Sequence, residues 1–568
     1  MSDPENDDLA DALTALSTET GLSLDTVVAL RSSRGLTLEA VRRLPDRALR
    51  RALLRLQRPE APRRRVEFRA LHMKSDPAST AADRPAGSRR MRAVAQAGAL
   101  QTAAPPDAKV AGIPVGAASS PPALAPSPPV AVGGLDPHAW TALGPGDGGG
   151  RTRSIVPDPA APGRLWAGAA GGGVWRREAG DTNWTPSDDL MGNLAVCSLA
   201  ISPAPDESGR RLMLAGTGEG FSNADAIHGA GIFWSLDGTH WAQDPSTNSP
   251  DFAAVNRIAF SADGSACLAA TTTGLFRCSG PPPGAWSPVS TVAMGDVRFH
   301  PTDPSRAIAG SLAAGEAYVS PDGGLTWQAS TADAAWSGRV EVTYALADPN
   351  TIYASVNMNG GRIFRSRDGG ATFAAMAGAE ASGLPAGYLG DQGWYANAIW
   401  AGDPANADAV IVGGLDLYLS LDGGATLRQI SRWDVSGSVH ADHHCIVGDP
   451  AMAAPGGPRR VYFGNDGGIF VTDDYTAVGA DDERTSGWRR LDRGYGVIQF
   501  YGVAANARGG VIVGGAQDNG TLLHPGASGA AGWTTLFGGD GGWCAADPSD
   551  PNYLYGEYVN CQIFRSAD

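Results

Sequence analysis

Lysine is almost missing from this chain. Among 568 residues it occurs only at positions 74 and 109, although Lys and Arg together number 44. That skew fits genome composition better than a function. Against 59 Asp and Glu the net charge is -15, and an acidic surface argues against a nucleic-acid partner, because phosphate binding needs a basic face. Cysteine is also sparse. Six in so long a chain do not make a disulfide scaffold. Cys267 with Cys278 and Cys544 with Cys561 flank strand-turn-strand segments, so each pair is expected either to bridge or to remain as buried thiols. No apolar run reaches the ~18 residues of a membrane span. The start, MSDPENDDLADALTAL, is acidic and lacks the basic region and apolar core of a secretory signal. Membrane insertion is therefore not expected, and the expected address is cytoplasmic unless a non-standard route exports the chain.

Glycine and proline are plentiful, 76 and 40 residues, as many short strands joined by tight turns require. They are unevenly spread. Residues 1–74 carry apolar positions three and four apart and read as a small helical segment ending in the basic run Arg63-Arg64-Arg65, either a solvated face or a means of docking an acidic surface. Residues 75–134 collapse to Ala, Pro, Ser and Gly and read as a disordered linker. Residues 135–568 read as all-β.

That last region repeats itself. Ser320-Pro-Asp-Gly-Gly-Leu-Thr-Trp327, Ser366-Arg-Asp-Gly-Gly-Ala-Thr-Phe373 and Ser420-Leu-Asp-Gly-Gly-Ala-Thr-Leu427 share one pattern, and Ser235-Leu-Asp-Gly-Thr-His-Trp241 is a shorter version. The Asp accepts hydrogen bonds from the backbone of the turn it opens, the glycines supply positive φ, and the closing aromatic begins the next strand. Asp237, Asp322, Asp368 and Asp422 are accordingly read as structural residues. The pattern resembles the Asp-box of the sialidase-like (BNR) β-propellers, a likeness spanning roughly residues 140 to 568. Taking the closing residue as a marker gives Trp184, Trp241, Trp286, Trp327, Phe373, Leu427, Trp488 and Trp533, at steps of 57, 45, 41, 46, 54, 61 and 45 residues. This predicts about eight four-stranded antiparallel blades and an incomplete ninth, cut short at the C-terminus. Whether they form one ring or two in tandem is left open.

In such a meander the loops between strands two and three, and those entering each blade, share the face opposite the Asp-boxes. Those loops carry Glu219, Asp416, Asp466, Asp518 and Glu557, while the entries carry Arg151, Arg153, Arg339, Gln392, Trp394, Tyr395, His440, Asp442, His443, His444, Tyr501 and Asp540; Gln517 and Asn519 flank Asp518. Ionisable and aromatic groups gathered at a channel mouth suit binding or catalysis. Strand alternation sends His440, Asp442 and His444 to one side, where they are candidates for a divalent metal or for a neutral hydrogen-bonded network. No cofactor is otherwise required.

The resemblance extends to bacterial BNR-repeat, glycosyl-hydrolase-like proteins and, more distantly, to two-propeller xyloglucanases and sortilin-type ectodomains. It implies a scaffold rather than an activity. Where the xyloglucanases carry a D-V-G-G loop with a catalytic carboxylate, this chain has Ala170-Gly171-Gly172-Gly173, and the F/Y-R-I-P segment of sialidases is absent. The first expectation is a binding protein that recognises a glycan or protein segment, with Trp394 and Tyr395 as stacking platforms. The alternative is a glycoside hydrolase drawing its acid and base from Glu219, Asp416, Asp466, Asp518 and Asp540.

Overall fold

The structure, a computed structural model, describes residues 141–566 apart from 222, 224, 225, 281–283, 385, 386 and 527. The expected N-terminal helices and linker lie outside the described residues.

Within them the chain forms nine consecutive antiparallel sheets, here called blades 1 to 9, over residues 152–186, 196–243, 255–290, 294–329, 340–375, 398–429, 443–490, 500–537 and 544–565. In blades 1 to 8 the strands follow chain order across a four-stranded meander. Blade 5 gains a short parallel strand, Thr331–Ala332, on its outer edge, and blade 9 has three strands. The protein is a β-propeller.

Apolar side chains on both faces of each blade fuse neighbouring sheets, and the order of these shared cores fixes the ring. Blades 1 and 2 share Trp166, Val196, Met213 and Phe233, while blades 6 and 7 share Leu417, Leu419, Phe463 and Phe470. Blade 7 then packs back on blade 1, where Tyr462, Ile469 and Val471 meet Ile155, Leu165 and Trp175. Seven blades thus close a ring, and blades 8 and 9 lie beyond it, joined to each other partly through Phe537 against Phe564. Each marker residue in the ring sits in the core shared with the preceding blade: Trp184 with blade 7, Trp241 with blade 1, and so on to Trp488 with blade 6. Burying a large ring there is worth about 2–3 kcal/mol per residue and sets the spacing between blades.

The turns carrying Asp322, Asp368 and Asp422 share one geometry, while in the shorter turn Asp237 accepts from the N–H groups of Thr239 and His240 and Ser235 takes the N–H of Gly238. In the three full repeats the Ser hydroxyl takes the N–H of the second glycine at 2.8 Å, and the Asp accepts the Thr N–H at 2.9 Å together with the Thr hydroxyl. Gly323 and Gly324 stand at φ 74° and 86°, and a Cβ on Gly324 would fall 2.8 Å from Leu268 of the preceding blade. The second glycine is therefore also a contact between blades. Partial burial opposes ionisation of Asp322, but hydrogen bonds from Thr326 and Ser320 outweigh it and hold the carboxyl below its usual range.

All six cysteines are free thiols. Cys267 and Cys278 stand directly opposite in the hairpin of blade 3, within its core, whereas Cys544 faces Gly556 and Cys561 falls in the following turn, so the second pair is not opposed.

Candidate functional site

The first strand of each blade runs along the ring axis, and its start delivers side chains to the mouth. Blade 1 contributes Arg151 and Arg153, both 3% exposed. Glu219, from the loop between strands two and three of blade 2, takes Arg151 Nη1 at 2.9 and 3.0 Å and Arg153 Nη2 at 3.0 Å. Burial raises the cost of charging Glu219, yet the two guanidiniums more than compensate and hold its carboxyl low. Arg153 reaches His444 Nδ1 at 2.9 Å, and His444 Nε2 lies 2.6 Å from Asp466 Oδ1. A guanidinium can only donate, so Nδ1 accepts and Nε2–H donates to Asp466. Burial and the facing Arg153 pull the His444 pKa down to about 3 despite Asp466, which leaves the ring neutral.

Tyr395, fully buried, donates its hydroxyl to Asp466 Oδ2 at 2.9 Å, and Arg153 lies 4.7 Å over its ring. Arg153 also stacks on Phe221 at 4.8 Å, and Arg339 covers the same ring at 4.1 Å. From Arg339 the network continues to Glu341 at 2.7 Å and to the carbonyl of Tyr395 at 2.9 Å. Arg257 then joins Glu341 at 3.5 Å to Asp296 at 2.9 Å. A belt of alternating charge thus runs round the axis, with groups from all seven blades of the ring. Burial, then Arg298 and Arg257, act on Asp296, and the arginines win and keep it ionised.

Blade 8 meets this belt from outside. Asn519 Nδ2 donates to the Asp466 carbonyl at 3.0 Å, His440 Nε2 lies 2.9 Å from the Asp518 carbonyl, and Asp540 Oδ1 accepts the Asp518 N–H at 2.9 Å. Carboxylate oxygens of Asp442, Asp466 and Asp518 all come within 4.8 Å of one another.

Several sequence expectations change. Tyr395 is not a stacking platform, because its ring is sealed against Arg153 and His444. Trp394 beside it is half-buried, its ring 5.5 Å from that of Tyr395. Both ring nitrogens of His444 are engaged in a hydrogen-bonded network, one accepting from Arg153 and the other carrying the proton given to Asp466. His443 faces away from the mouth, packing its Cβ on Gly413 of blade 6, and neither of its buried ring nitrogens has a hydrogen-bond partner. Asp416 stands apart from the belt, accepting from Gln429, Ser431 and Trp433 of its own blade. Burial pushes its pKa up to about 7. Gln517 is buried, its N–H bonded to the Gln499 carbonyl, while Tyr501 is 38% exposed on blade 8.

Sequence reasoning did not find Phe221, Arg257, Asp296 and Glu341. For the last three the signal was a charged residue inside the otherwise apolar first strand, as in Val255-Asn-Arg-Ile258 and Val340-Glu-Val342; Phe221, in the loop after the second strand of blade 2, had none. It also did not find Trp543, 72% exposed, in Asp540-Gly-Gly-Trp-Cys-Ala545, a run that parallels Asp391-Gln-Gly-Trp-Tyr-Ala396.

No family model matches the chain, and no curated protein matches it. Among solved structures it is similar to the GH74 xyloglucanase from Xanthomonas campestris, at 17% identity and TM-score 0.49, over 75% of this chain and 73% of that one. It is also similar to PorZ, a surface component of the type-IX secretion system of Porphyromonas gingivalis, at 13% identity and TM-score 0.44, over 76% and 52% of the two chains. YCF48 bound to D1 peptide matches at 13% identity and TM-score 0.39, over 59% of this chain and 97% of that one.

Among the described residues no helix is long and apolar enough to cross a membrane.

Proposed function

We propose that this chain is a binding protein, holding a glycan or an extended protein segment at the face opposite the Asp-box turns. The observation that carries this reading is the state of the carboxylates. Glu219 is clamped by two arginines, Asp466 receives His444 and Tyr395, and Asp416 is tied into its own blade, so each already has a structural partner. A glycosidase needs two carboxyl groups facing each other across the substrate, about 5 to 9.5 Å apart. These groups face the protein instead. Ligand contact falls to half-buried Trp394 and, on blades 8 and 9, to exposed Tyr501 and Trp543, whose rings present apolar faces with polar edges.

One observation favours hydrolysis as the second reading. Asp416, with its pKa near 7, has the proton affinity of a general acid. The two readings separate in one experiment: glycan and peptide arrays probed with the full chain, alongside reducing-sugar release from the same polysaccharides. Binding that Trp394→Ala weakens about tenfold and that Asp416→Asn leaves intact, with no sugar released, supports the binding protein. Sugar release abolished by Asp416→Asn overturns it.

A further inference from the structure

Blade 3 holds two cysteines where the next blade holds plain hydrocarbon. Cys267 on its second strand stands opposite Cys278 on its third, and the equivalent rung of blade 4 pairs Ile308 with Val319. The rungs correspond because Ser279 and Ser320, one residue further on, each lie seven residues before a marker, Trp286 and Trp327. Both thiols enter the core shared with blade 2, their residues 1% and 0% exposed. Direct hydrogen bonds close the hairpin on either side of them, from the Thr271 N–H to the Gly274 carbonyl at 2.9 Å and from the Gly280 N–H to the Ser265 carbonyl at 3.2 Å. Hydrogen-bonded rungs alternate along an antiparallel pair, so Cys267 and Cys278 share one, which sets their Cα atoms about 5.5 Å apart. A disulfide spans that distance without backbone movement. Among the described residues no other two cysteines face each other across a rung. The neighbouring sulfur is also the largest influence on each thiol, raising Cys267 and lowering Cys278, which makes Cys278 the readier nucleophile. Ser279 is exposed where the strand ends, so fraying of that end gives a small reagent its path.

We propose that Cys267 and Cys278 form a site of reversible oxidation, bridged by exchange with a small-molecule disulfide and restored by a dithiol. In the first step Cys278 gives its proton to solvent, its thiolate attacks one sulfur of the reagent, and a mixed disulfide forms as one thiolate leaves. Cys267, deprotonated in turn, attacks the Cys278 sulfur and expels the second thiolate. The two departing thiolates take up the two protons. Two cysteine thiols and one disulfide thus become one cross-strand bridge and two free thiols, with the reagent reduced by the two electrons that the cysteines lose. The bridge ties the second strand of blade 3 to the third. It therefore restricts the unfolded chain and raises stability without altering the register of the sheet.

The test reduces the full chain, removes the reductant, and incubates the folded protein with glutathione disulfide. Remaining thiols are then blocked with iodoacetamide, and linked peptides are mapped by mass spectrometry. A peptide pair joined through Cys267 and Cys278 is expected, lost on adding dithiothreitol and absent from Cys278→Ala, together with a higher urea midpoint for the oxidised chain than for the reduced one. Exposed Cys561 serves as the control that the reagent is active. Wild-type protein in which Cys561 has taken up glutathione while Cys267 and Cys278 are recovered as blocked free thiols overturns the proposal, as does a bridge that forms only after the chain is unfolded in urea. The wild-type map decides whether or not the variant folds. No glycan or peptide enters the measurement, so its outcome is separate from that of the binding reading.

Discussion

Asp322 and Asp466 carry the same side chain at opposite ends of the ring. Asp322 is half-buried in a turn and bonds to groups two to four residues away: Ser320, Leu325 and Thr326. Asp466 is 1% exposed and holds His444 and Tyr395, 22 and 71 residues distant. At the turn end a carboxylate shapes one hairpin, and the arrangement recurs wherever the motif does. At the mouth it joins blades, and its partners are unlike those in any other blade. Removing either teaches something different: the first loosens a local loop, the second leaves a buried charge uncompensated.

The largest contrast is expected at Arg153. Its guanidinium meets Glu219, His444, Phe221 and Tyr395, so Arg153→Met should lower unfolding free energy by about 3–5 kcal/mol in urea titration, with wild-type exposed surface on unfolding as judged from the slope.

The next effect depends on pH. His443 and His444 are both held neutral in the folded chain, chiefly by burial, and gain protons only on unfolding. The stabilisation from His444 is therefore complete above about pH 6.5 and lost progressively as pH falls towards 3, at about 1.4 kcal/mol per pH unit, and His443, whose pKa is also depressed, adds to the loss in the same direction. His443→Leu, which removes a buried ring with no hydrogen-bond partner, should flatten this slope and raise stability at pH 5, as measured by denaturant midpoints across the range.

The smallest expected effect is at the turn. Asp322→Asn keeps an acceptor for the Thr326 N–H but loses the second carboxylate oxygen that takes its hydroxyl, and should cost about 1 kcal/mol, read by the same titration at pH 7. Because its folded pKa is depressed, that contribution is present above about pH 4 and fades as acid protonates the carboxyl.

The same contrast explains what could be read from the chain. The turns carrying Asp322, Asp368 and Asp422 were legible because their hydrogen bonds are local and the pattern repeats, and the marker residues because each blade of the ring buries a large apolar side chain at the same place. The number of sheets followed from that spacing. Ring closure did not, since it depends on blade 7 finding blade 1 through Tyr462 and Ile155, some 300 residues apart. The mouth was legible only as a face. That Glu219 and Arg151 meet across 68 residues, or Arg153 and His444 across 291, has no local signature. Arg257, Asp296 and Glu341 also find their partners across blades, so a charge in an apolar strand does not by itself say what it meets. Asp416 was placed with the other mouth carboxylates although its partners, Gln429, Ser431 and Trp433, lie 13 to 17 residues on in its own blade. Tyr395 was read as a ligand platform because burial cannot be read from a residue type that serves equally well in a core.

The claim that the mouth carboxylates hold the ring together is tested most directly by the denaturant midpoint of Glu219→Gln. The substitution preserves shape and leaves Arg151 and Arg153 without their shared charge partner. If Glu219 is structural, the midpoint falls well below wild type, by about 3 kcal/mol or more in unfolding free energy. A midpoint equal to or above wild type is the behaviour of a carboxylate kept for catalysis at some expense to stability, and would contradict the account.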